Sequence, residues 1–186
     1  MAEMNRLGRW LVNRRTEARA RRTLARLGAH LQLGPSARVL ELGSGGGGLL
    51  ALLQERYHPS RLVGTDFDPV QVDSARSFLT ARWGQLPSPI ELRAADALSL
   101  PFPDGSFDAI FAMMMLHHVE AHHAEFVRRP RALREIRRAL APGGILVYSD
   151  IFRRSEIRNA LAGLGFAPQF VRQGWRSDLA IYRSPG

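Results

Sequence analysis

The chain has no cysteine and no lysine. Without cysteine there is no disulfide, no thiolate metal site and no thiol nucleophile. Without lysine, all 26 basic side chains are arginine, and every mechanism that needs a catalytic amine is excluded. Long apolar runs are missing too, so no segment reads as a membrane-crossing helix. Residues Met1 to Trp10 lack the apolar core of a signal peptide, and a cytoplasmic chain is the expectation. At 186 residues the length suits a single domain able to bury most of its apolar surface.

What is present is unevenly charged. Residues 1–38 hold nine arginines against Glu3 and Glu17, a net +7, while residues 39–186 hold seventeen against fifteen acids. The basicity therefore belongs to an N-terminal arm, residues 1–34. Within it, 4–31 read as helix: Leu7, Trp10 and Leu11 cluster, and Ala20, Leu24, Leu27 and Leu31 repeat at helical spacing. The arm is expected to pack on the body and cover its site. The alternative is a weak membrane-surface contact through the same basic helix. No firm nucleic-acid signal accompanies it.

The body, residues 35–186, turns on Val39-Leu40-Glu41-Leu42-Gly43-Ser44-Gly45-Gly46-Gly47-Gly48. It reads as a buried strand, a tight turn and a helix start. Glycines there leave bare N–H groups at a helix N-terminus, suited to a nucleotide-like cofactor. The spacing satisfies G-x-G-x-x-G through Gly43, Gly45 and Gly48, a nicotinamide fingerprint. It equally satisfies E-x-G-x-G-x-G through Glu41, Gly43, Gly45 and Gly47.

Strands follow at 62–65, 90–94, 107–113, 145–149, 168–173 and 178–183. Helices are expected at 48–56, 69–83, 124–140 and 155–163, with Asp68-Pro69 capping the second and Pro142-Gly143-Gly144 breaking the chain before the fifth strand. Alternating strand and helix predicts an α/β fold, a mainly parallel sheet with helices on both faces. In such sheets ligands lie beyond the carboxyl ends of the strands. Glu41, Asp66, Asp96, His117, His118 and Asp150 all fall there. Asp66 suits a ribose, Phe67 an adenine face, and Asp96 with the Ala97 backbone an adenine edge.

These segments, VLELGSGGG, VGTDFDP, DALSLPFPDGSFDAIF, LHHV and REIRRALAPGGILV, resemble class I S-adenosylmethionine-dependent methyltransferases. More narrowly they are similar to the type 11 group, which includes ubiquinone/menaquinone biosynthesis C-methyltransferases. The resemblance implies a Rossmann-like seven-stranded sheet with an antiparallel last strand. It implies S-adenosyl-L-methionine as cofactor and S-adenosyl-L-homocysteine as product. Glu41, Gly43, Ser44 and Gly45 would lie along its methionine part, Asp66, Phe67, Asp96 and Ala97 along its adenosine, and Ala112 and Met113 would hold its amine through the backbone. Glu41 and Pro142-Gly143-Gly144 weigh against the nicotinamide reading. A non-catalytic protein of the same fold is the other alternative.

The family's insert between the fifth strand and the last helix is nearly absent, so the arm, with Trp10, Arg14 and Arg15, is the expected lid. Methyl transfer needs alignment and a base. His117 or His118, assisted by Asp150, is the expected base. His122 and His123 stand close by, but no metal site is expected. The apolar Ala112-Met113-Met114-Met115 favours a small, lipophilic acceptor.

Overall fold

The computed structural model describes residues 6–122 and 125–186, with side chains from residue 16 onward. Helix α1 (Arg6–Leu27) leads through a short 3-10 turn to β1 (Arg38–Leu42) and α2 (Gly48–Tyr57). Then come β2 (Arg61–Asp66), α3 (Pro69–Trp83), β3 (Ile90–Ala94) and β4 (Phe107–Met113). A 3-10 turn, Leu116–Val119, precedes α4 (Arg129–Ala139), β5 (Leu140–Asp150), α5 (Arg154–Gly163), β6 (Ala167–Gln173) and β7 (Asp178–Arg183).

The seven strands form one sheet in the order β3-β2-β1-β4-β5-β7-β6. β1 to β5 pair in parallel, and β7 runs antiparallel to both β5 and β6. Strand order reverses between β1 and β4, which opens a crevice beyond their carboxyl ends. Side chains alternate faces along each strand. Leu40, Ile110, Leu146 and Tyr148 bury against α4 and α5 residues such as Leu133, Ile136 and Leu161. Val39, Phe111, Val147 and Ile181 bury on the other face against Leu50 and Leu53 of α2. Leu24, Leu27 and Leu31 join that second core, so the end of the N-terminal arm is packed into the body.

Two boundaries differ from the sequence expectation. α4 begins at Arg129, not near 124, because its free N–H groups are satisfied from elsewhere: the Glu120 carboxylate accepts from the backbones of Val127, Arg128 and Arg129. Pro142-Gly143-Gly144 does not end the structure before β5 but lies inside it. Gly143 has φ +71°, and a Cβ on Gly144 would stand 2.9 Å from the Ala141 carbonyl oxygen, so the glycines form a bulge where pairing with β4 shifts register.

Candidate active site

A cleft of about 1100 Å³ opens at the carboxyl ends of the strands. Its floor begins with the glycine loop. β1 delivers Glu41, and the chain turns at Gly43 with φ +67°, where a Cβ would lie 2.7 Å from the Met115 Cβ. Glycine is required there twice over, by the dihedral and by the space. The loop is tied to β2: the Ser44 N–H donates to the Thr65 carbonyl at 2.8 Å and the Gly45 N–H to Asp66 Oδ2 at 2.9 Å. A Cβ on Gly45, also at positive φ, would meet nothing within 4 Å.

Glu41 is 4% exposed and its Oε2 has no hydrogen-bond partner among the described residues; nor has the buried Ser44 Oγ. Both line the cleft. Burial, reinforced by the Asp66 charge, raises the Glu41 carboxyl well above its ordinary range. Buried polar atoms are rarely left unpaired, and two on one cleft wall fit a ligand that brings its own donors. The methionine end of S-adenosylmethionine, with its ammonium, has that chemistry.

Asp66 stands at the end of β2, its Oδ1 accepting from the Asp68 N–H at 3.1 Å. Asp68 in turn caps α3 through the Val70 N–H, as expected for Asp-Pro at a helix start. Phe67 projects at 77% exposure on the cleft wall rather than into the core. Past β3, Asp96 accepts from the Leu98 N–H at 2.8 Å, and Ala97 is buried beside it; both line the cleft.

The cleft thus brings together Glu41, Gly43, Ser44, Gly45, Asp66, Phe67, Asp96, Ala97, Met113 and His118. Three expected residues are not on its wall. Ala112 is fully buried in the core. Asp150 is fully buried and accepts from the backbone N–H groups of His117 (3.1 Å) and Ile151 (2.7 Å). His117 is 6% exposed, its Nδ1 2.8 Å from Asp150 Oδ1 and its ring 4.0 Å from that of His118. His118 alone of the pair faces the cleft, with the His117–Asp150 pair directly behind it. The side chains of Trp10, Arg14 and Arg15, and His123, lie outside the described residues.

The arm was expected over the site, and it is there, but the residues of it that line the cleft were not those named from the sequence. Thr16, Arg19, Ala20, Thr23, Leu24, Arg26 and Leu27 line the cleft as one stripe of α1. The threonines, set in an arginine-rich helix beside the apolar repeat, were the available signal. Arg128, and Arg176 and Ser177 in the turn between β6 and β7, also line it, with nothing in the local sequence to announce them.

The chain matches a family model described as a methyltransferase domain over residues 40–148. It is 39% identical over 113 residues to a demethylmenaquinone methyltransferase of Thermus thermophilus, covering 61% of this chain and 46% of that protein. It is 34% identical over 143 residues to phthiotriol/phenolphthiotriol dimycocerosates methyltransferase 1 of Mycobacterium ulcerans, covering 77% and 48%. The chain spans about half the length of these curated relatives. Among solved structures, a Haloferax volcanii complex of the Trm112 methyltransferase activator with a methyltransferase aligns at a TM-score of 0.75 and 19% identity, over 94% of each chain. That last likeness is one of fold. The family match spans both the glycine loop and the strand-end acids that build the cleft, and by it this chain belongs to the type 11 group of S-adenosylmethionine-dependent methyltransferases.

Proposed function

We propose that the chain transfers the methyl group of S-adenosylmethionine to a small, partly apolar acceptor entering the same cleft. The observation that carries this is Glu41, a buried carboxyl with an orphaned oxygen on the glycine loop. Glu41, Ser44 and the backbone at Gly43 and Gly45 take the methionine part. Asp66 accepts from the ribose hydroxyls, Phe67 lies on the adenine, and Asp96 with the Ala97 backbone takes its edge. The backbone at Met113 holds the amine; Ala112, off the cleft wall, contributes no side chain to it.

When bound, the cofactor supplies a methyl group on a sulfonium, an already competent leaving group. The chain therefore has to align the acceptor, exclude water and accept a proton where the acceptor loses one. His118 is the base in this reading, since it faces the cleft. His117, held by Asp150, is a positioning residue that backs the His118 ring. The α1 stripe is the lid. No helix of the described residues is long and apolar enough to cross a membrane, and the reading places the chain in the cytoplasm.

The test is a thermal shift with S-adenosylmethionine, S-adenosylhomocysteine, NAD and NADP in parallel. A ligand at a hundredfold excess over its dissociation constant stabilises by about 2.7 kcal/mol. Stabilisation by the two sulfur cofactors alone is expected. Stabilisation by a nicotinamide cofactor instead would overturn the proposal. No shift with any of the four would point to a non-catalytic member of the fold.

A further inference from the structure

The cleft is electrostatically divided. Its acids, Glu41, Asp66, Asp68 and Asp96, come from the ends of β1, β2 and β3, one half of the sheet. Three of its arginines come from the other side: Arg128 ahead of α4, Arg176 between β6 and β7, and Arg26 of α1. Helix α1 runs from one half to the other. At its middle, a Cβ on Gly48 would meet the Thr16 Oγ1 and Glu17 backbone, and Glu17 pairs with Arg82 of α3 at 3.1 Å. Beyond its end, the His30 ring lies 4.6 Å from Phe170 of β6. Arg26 is ten residues past Thr16, about 15 Å along the helix axis. From β1 to β7 is three strand spacings, about 14 Å. The two spans match, so Arg26 is carried toward the β7 side of the cleft, whose wall also includes Arg176 of the β6–β7 turn. Arg19, one turn from Thr16, stays nearer the loop.

Among the described residues, none of the guanidinium groups of Arg26, Arg128 and Arg176 is neutralised by an acid, although that of Arg128 donates to the Val119 carbonyl at 3.4 Å. The acid next to Arg176, Asp178, is occupied by Arg154 and Arg158. The acid facing Arg128, Glu120, is occupied by the backbone N–H groups of the α4 start. Glu125, three residues before Arg128, is not on the cleft wall. The same cleft wall carries an apolar set, Met113, Met114, Val119, Ile151 and Leu179, interrupted by His118 and Ser149.

We propose that the acceptor is an anionic amphiphile, its carboxylate or phosphate head held by Arg26, Arg128 and Arg176 and its apolar body lying along the methionine-lined wall. The inference rests on the methyl-transfer reading of the cleft and adds the charge of its substrate. Guanidinium groups suit either head, because their planar donors match both carboxylate and phosphate oxygens.

The experiment is calorimetric titration of the chain with decanoate, decyl phosphate and decanol, with S-adenosylhomocysteine titrated separately. Wild type, Arg26→Gln, Arg176→Gln and the double variant are compared. At least one anionic probe is expected to bind about tenfold or more tighter than decanol, with a gap that narrows in high salt. The double variant should erase that preference while its S-adenosylhomocysteine affinity holds. Which probe binds tighter identifies the head as carboxylate or phosphate. Equal binding of decanol, no binding of either anion, or full binding to the double variant would overturn the proposal. Arginine-dependent anion binding without any S-adenosylhomocysteine binding would uphold the anion site and overturn the cofactor reading instead.

Discussion

Replacing Glu41 by Gln should stabilise the protein without cofactor and weaken its hold on the cofactor. The carboxyl is 4% exposed, one oxygen has no partner, and burial raises it above its ordinary value of 4.5. The sign follows from linkage. Below about pH 4.5 the carboxyl is protonated whether the chain is folded or not, and wild type and Glu41→Gln should differ little. As pH rises through that value the unfolded chain releases the proton first, so wild type loses stability until the folded carboxyl also ionises. Glutamine keeps the shape and removes the charge. The gain near neutral pH should be about 1.4 kcal/mol for each pH unit over which the unfolded carboxyl is ionised and the folded one is not. Each kcal/mol is worth about 2–4 °C in Tm for a chain of this size. Melting curves of wild type and variant, taken from about pH 4 to pH 8, isolate the effect because every other titrating group is common to both. S-adenosylhomocysteine affinity, measured on the same samples, should fall. A variant that melts below wild type at neutral pH would refute the reasoning, as would a gain that persists unchanged at pH 4.

Asp66→Ala should weaken S-adenosylhomocysteine binding by about 1–3 kcal/mol in calorimetry, through loss of a hydrogen-bonding partner; an unchanged Kd would sink the ribose assignment. Gly43→Ala and Gly45→Ala should separate fold from binding. Both incur about 1–2 kcal/mol of left-handed backbone strain. Only the first adds overpacking against Met115, about 1–3 kcal/mol more in chemical unfolding, whereas Gly45→Ala should cost mainly cofactor affinity. Leu27→Ala should cost about 2–5 kcal/mol of stability, because Leu27 is fully buried between α1 and the sheet. A loss under 1 kcal/mol would show that α1 is a loosely held arm.

The half of the cleft built on β1 to β3, proposed to hold the cofactor, was legible in the sequence because its constraints are local. A glycine that must adopt positive φ, an acid two residues before it and an acid ending the next strand are written within about 25 residues of chain. The capping pair Asp68-Pro69 was readable for the same reason. The lining residues of the roof were not. Thr16, Arg26 and Arg176 reach one cleft only because α1 crosses the sheet and the β6–β7 turn folds back beside β5, contacts separated by most of the chain. The start of α4 was missed for the same kind of reason: Glu120 caps it from eight and nine residues away, outside any N-cap spacing. The adjacent histidines looked equivalent as letters. Only the short 3-10 turn sets one against Asp150 and the other toward the cleft.

That division of legibility follows the division of labour in the cleft. The half built on β1, β2 and β3, proposed to take one fixed cofactor, has its residues on turns and strand ends that tolerate few alternatives. The other half, proposed to take the acceptor, is assembled from a helix, the approach to α4 and a hairpin turn, elements whose side chains change without disturbing the sheet. Leu24, Leu27 and Leu31 anchor α1 to the core, and beside Leu24 and Leu27 the polar Thr16, Arg19, Thr23 and Arg26 also line the cleft. Substituting these polar positions leaves the anchor intact. If the proposed acceptor site is right, acceptor choice is set by side chains outside the sheet, and Arg26 and Arg176 are where a change of substrate would be made at least structural cost.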